Sequence, residues 1–119
     1  MGDTSFLAWP FFEPHHRELA QALEHWSART AATIAQQCEP HDADATTVAW
    51  VRALGQGGWL LHSGIDPDQA GQGLDVRALC LIRERLAQHH GLADFAFAMQ
   101  GLGTGALSLF GDSTQRQAL

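Results

Sequence analysis

The chain has 119 residues, 45% hydrophobic and 17% charged, which suits one globular domain with its own core (1–119) and excludes a disordered tract. Its formal net charge is −6, it has no lysine, and its arginines are scattered along the chain; this argues against a nucleic-acid or anionic-membrane partner. Cys38 and Cys80 fit no metal spacing and read as reduced thiols of a cytoplasmic protein, and no secretory signal is expected at the N-terminus.

Residues 1–12 read as an arm. Phe6, Leu7, Trp9, Phe11 and Phe12 are too many large apolar groups for a free tail, so the arm is expected to dock on the body. A first helix is expected from Pro14, since proline suits a first turn, to just before Pro40. Its apolar stripe is Leu19, Leu23, Trp26, Thr30, Ile34 and Gln37. After a polar linker, a second helix is expected from Ala45 to Leu54, with Asp44 as N-cap, Val48, Val51 and Leu54 inward, and Gly55 as its stop. Gly55 to Gly73 holds six glycines and Pro67 and reads as a long loop, pinned by Trp59, Leu60, Leu61 and Ile65.

A third helix opens at Asp75, an N-cap ahead of an apolar run. Ala78, Leu79, Ile82, Leu86 and Ala87 make its buried stripe; Arg77, Glu84, Arg85 and Gln88 lie outside, and Gly91 closes it. The next segment, Leu92–Gly111, is the centre of the reading. Between Asp94, its expected cap, and Asp112 it carries no charge. Phe95, Ala98, Met99, Leu102, Ala106, Leu109 and Phe110 recur at intervals of three and four, and the other positions are small or apolar too, so a helix enclosed on most sides is expected. Gly101, Gly103 and Gly105 each cost a helix roughly 0.5–1 kcal/mol relative to alanine, which suggests that another helix or a ligand approaches closely there. A last helix starts at Asp112-Ser113-Thr114-Gln115, a capping-box pattern. It has barely begun at Leu119, so the ending reads as truncated. No stretch alternates with period two, and the fold expected is all-α: an antiparallel bundle of about four to five helices.

Two other readings of the apolar segment fail. A membrane span needs about 20 apolar residues with basic flanks, and this one is shorter and contains Gln100. Gly101-Leu102-Gly103-Thr104-Gly105-Ala106 fits G-x-G-x-x-G/A, but the residues before it make a poor strand and the acidic residue expected about 20 positions later lies beyond Leu119. Nor does the chain show a catalytic constellation. The pairs His15/His16 and His89/His90 are sequence neighbours, which on a helix do not face one another, so no metal site is expected. No serine sits in a nucleophile elbow. Glu84, the one acid in a mostly apolar helix, is expected to pair with Arg77 or Arg83.

Several pieces, in order, resemble the N-terminal helical domain of the acyl-CoA dehydrogenase family. They are Phe12-Glu13-Pro14-His15-His16-Arg17-Glu18-Leu19, then Leu54 and its Gly-rich turn, then Pro67–Asp75, similar to P-x-x-x-G-G-x-G-x-D with Gln72 at the second glycine. Arg83-Glu84-Arg85-Leu86-Ala87 is similar to the family's E-x-L-A, and Gly111–Arg116 to its G-[ST]-x-x-Q-[KR]. The resemblance spans nearly the whole chain. It implies a parent FAD enzyme that removes hydrogens from Cα and Cβ of an acyl-CoA thioester, with a glutamate of a C-terminal helical domain taking the α-proton and the flavin the β-hydride. It also implies a middle β-domain holding much of the FAD, an electron-transfer protein or oxygen as acceptor, and a homo-oligomer. This domain would supply no catalytic residue and bind no FAD alone. Counted back from Gly111, the family's acyl-pocket lining falls on Phe95, Ala98, Met99 and Leu102, and the bulk of Phe95 and Met99 suggests a short or medium chain. An acyl-CoA oxidase, a flavin-dependent monooxygenase, or a free-standing helical interaction module using the Phe6–Phe12 arm are the alternatives.

Overall fold

The computed structural model describes residues 2–65 and 73–118, and no strand occurs among them. Five α-helices follow in order: α1 (Pro14–Gln37), α2 (Ala43–Gln56), α3 (Val76–His89), α4 (Gly91–Phe110) and α5 (Ser113–Gln117). Short 3-10 turns occupy Ser5–Ala8 and Trp59–Ser63. The all-α expectation holds. Much of the glycine-rich stretch, including Pro67, Gly71 and Gln72, lies outside the described residues.

The bundle is held as a chain of pairs: α1 lies chiefly against α3, α3 against α4, and α4 against α2, while α1 and α2 meet over a shorter stretch. Leu23 and Ile34 of α1, Trp50 and Leu54 of α2, Ile82 and Leu86 of α3, and Ala96 and Phe97 of α4 form one core. Removing a leucine or a phenylalanine of this kind from water contributes about 1.5–3 kcal/mol. Among the described residues, no helix is long and apolar enough to cross a membrane.

Helix starts follow local chemistry closely. Asp75 accepts the amide of Ala78 and begins α3, and Asp112 and Gln115 form the reciprocal cap of α5, both as the sequence predicts. Two caps differ. Asp42, not Asp44, accepts the Ala45 amide, so α2 starts two residues early. The cap of α4 is His90, whose Nδ1 accepts the Leu92 amide at 3.1 Å, which leaves Asp94 free for another partner. That partner is Arg83, in a two-pronged pair at 2.8 and 3.0 Å linking α3 to α4. Gly91 is thus the first residue of α4 rather than the stop of α3. Gly55 sits inside α2, and the helix ends at Gly57 and Gly58, the latter at φ 76°, a left-handed conformation that favours glycine.

Two predicted faces differ in part. In α2 the buried residues are Thr46, Trp50 and Leu54, and Val48 lies outside: the largest side chain, not the β-branched pair, decides which face enters the core. In α3, Ala87 is exposed and Arg85 is buried beneath α1, with Nη1 3.8 Å from Glu24. Glu84 accepts from Gln88 rather than pairing with Arg77 or Arg83. The arm docks as expected. Arg17 donates to the carbonyls of Leu7 and Phe12 at 2.7 and 2.9 Å, Arg77 donates to that of Phe11 at 2.7 Å, and Phe12 packs edge-on against His16.

Candidate functional site

The predicted site residues all lie on α4. That helix turns Ala93, Ala96 and Phe97 into the core and Phe95, Met99 and Leu102 away from it. Phe95 is 52%, Met99 39% and Leu102 74% exposed, and Ala98 is half-buried beside them. The expectation of a helix enclosed on most sides is therefore wrong. Both of its faces are apolar, so periodicity alone does not say which one enters the core; the small Ala93 and Ala96 do, because they let α2 and α3 approach the α4 backbone closely. The four residues are brought together at i, i+3, i+4 and i+7, a strip about 10 Å long. Leu109 and Phe110 are exposed farther along the same helix. A contiguous apolar surface of this kind marks a binding or interdomain face.

The glycines have separate explanations. A Cβ on Gly101 would lie 3.3 Å from the carbonyl oxygen of Ser63, so Gly101 lets the 3-10 turn press onto α4. Gly103 and Gly105 face open space among the described residues, none of which requires a glycine there. The Gly101–Ala106 pattern lies within α4, where its amides serve helical hydrogen bonds and cannot cradle a phosphate. On that observation the pattern does not fit a flavin site.

A second cluster was not foreseen. His15 and His16, expected to point apart, have ring centroids 3.9 Å apart and both reach Asp75, with Nε2–Oδ2 distances of 3.2 and 2.9 Å. The Nδ1 of His16 accepts the Glu13 amide at 3.0 Å, so its Nε2–H donates to Asp75. Partial burial would raise the carboxyl of Asp75. The Ala78 amide and the imidazoles of His15 and His16 outweigh it and hold that carboxyl at about 2. Ligand atoms of Glu13, His15 and His16 lie within 4.8 Å of one another, a grouping that a metal could use. Both nitrogens of the fully buried His16 are already engaged, however, and the Arg77 guanidinium sits 3.0 Å from Glu13 Oε2. A cation would have to displace these partners, so the cluster reads as a structural tie between α1 and α3. The sequence signal that could have found it is the cap position of Asp75 together with His16 one turn into α1.

The family model described as acyl-CoA dehydrogenase, N-terminal domain, matches residues 13–119. Comparison with curated proteins returns no match.

Proposed function

The chain belongs to the acyl-CoA dehydrogenase N-terminal domain family, and from that premise we propose that it serves an FAD-dependent acyl-CoA dehydrogenase as one wall of the acyl pocket. The observation that supports this most is the uncovered strip of Phe95, Ala98, Met99 and Leu102, an apolar surface with no charge, matched to an aliphatic chain. The flavin, which supplies the two-electron oxidation in such enzymes, would be held by other domains. The work of this chain is to orient the acyl tail and exclude water from it. Membership suggests an acyl-CoA thioester as substrate, an electron-transfer protein or oxygen as acceptor, and a homo-oligomer for the assembled enzyme; the free Cys38 and Cys80 favour a cytoplasmic setting.

Phe95 and Met99 are bulky, which favours short or medium acyl chains. The test is the chain-length profile of kcat/KM for the enzyme carrying this domain, wild type against Phe95→Ala. A shift toward longer chains is expected. An unchanged profile rejects the wall assignment.

A further inference from the structure

We propose that the slot between α1 and α2 is a docking groove for an amphipathic helix edged with carboxylates, supplied by a partner protein. The slot exists because α1 leans on α3 and α2 on α4, so the two helices part along one side. Its volume is about 610 Å³ and it is open along its length. On α1 the lining runs from Trp26 to Gln37, about 16 Å of helix, or three turns. A small molecule there would stay wet on one side, whereas ligand pockets bury roughly 70–90% of their ligand.

The chemistry of the lining selects the occupant. The floor is Trp26, Ile34, Ala49 and Ala53, and the two alanines, one turn apart on α2, let a third helix come close. Above the floor stand Arg29 on the α1 wall and Arg52 on the α2 wall. In a chain of net charge −6 these two cations are distinctive. Arg17, Arg77, Arg83 and Arg85 each hold a carbonyl, a carboxylate or an amide oxygen of this chain, whereas Arg29 and Arg52 are exposed and hold none among the described residues. Thr30 and Thr33 also line the slot, so its floor is partly apolar and partly hydroxyl-bearing. Such a floor between charged edges suits a helix-in-groove interface, and the sign of those edges calls for glutamate or aspartate on the partner. This inference is independent of the acyl-wall reading, which concerns α4.

The test uses the 119-residue chain, isotope-labelled, and a synthetic helical peptide of about four turns with leucines at every third or fourth position and glutamates along both edges. Saturable shifts of the Trp26 indole and of the Arg29 and Arg52 guanidinium signals are expected, weakening as salt rises. The double variant Arg29→Glu, Arg52→Glu should lower the affinity about tenfold, and the same peptide with lysine edges should restore it. Because both arginines are exposed and unpaired, the variant should keep the wild-type melting temperature. Failure of the glutamate peptide to shift these signals overturns the proposal, as does absence of rescue by the lysine peptide. Octanoate saturating the same signals while the peptide does not would assign the groove to a small amphipathic anion and overturn it equally.

Discussion

The Nε2 of His16 lies 2.9 Å from Oδ2 of Asp75, and that contact ties the first turn of α1 to the cap of α3. The carboxylate has two tasks: it accepts the Ala78 amide that starts α3, and it satisfies an imidazole from which solvent is excluded. Loss of a cap costs about 1 kcal/mol, and a buried donor left without a partner costs about 1–3 kcal/mol more. Asp75→Ala should therefore destabilise the domain by about 2–4 kcal/mol. Thermal unfolding followed by circular dichroism measures it, and a loss below about 0.5 kcal/mol would show that the tie is decorative.

The same carboxylate sets an acid response. Its folded value of about 2 lies below its ordinary 3.8. A carboxylate depressed on folding stabilises the fold fully above the unfolded value, and that stability is lost as pH falls through the folded one. The stability gap between wild type and Asp75→Asn should be widest above pH 3.8 and close as pH falls toward 2. Denaturant unfolding across that range checks it; a gap that stays constant down to pH 2 contradicts the assignment.

The order of helices and most of their ends were legible because they rest on short-range chemistry: proline at the start of α1, aspartate at the starts of α3 and α5, glycine past α2. What sequence alone could not give is which side of an apolar helix the core takes. Trp50 takes the core position and Val48 is left outside, with Val51 half-buried at the edge, because burying the largest side chain removes the most area from water. Arg85 goes inside because Glu24, sixty-one positions earlier on α1, lies opposite it, a relationship visible only after packing. His15 and His16 converge for a similar reason: their meeting point, Asp75, belongs to another helix. On α4, Phe95, Ala98, Met99 and Leu102 share one face, as their spacing requires, and that face looks away from the domain's own core.

Gly103 offers a direct check of the open side of α4. None of the described residues lies within 4 Å of where its Cβ would be, and it sits in the interior of a helix. Gly103→Ala should then stabilise the domain by roughly 0.5–1 kcal/mol, through helix propensity and a less flexible unfolded chain. Gly101→Ala should not, because its Cβ would crowd the Ser63 carbonyl at 3.3 Å. Equal responses of the two variants in thermal melts would mean that the 3-10 turn does not press on α4 as described.

Phe95 and Phe97 are two positions apart on one helix and face opposite ways, the first 52% exposed and the second 1%. If the acyl strip is a surface of the domain and not part of its core, the two must respond differently to the same change. Phe97→Ala empties a packed site between α2, α3 and α4 and should cost about 3–5 kcal/mol. Phe95→Ala removes a ring already half in water and should change the stability of the chain by no more than about 0.5 kcal/mol. Chemical denaturation of both variants gives the comparison. A cost at Phe95 approaching that at Phe97 would place the strip inside the fold and leave no uncovered face for an acyl chain. A small cost there, together with an altered chain-length profile in the enzyme carrying the domain, separates binding from folding at one residue.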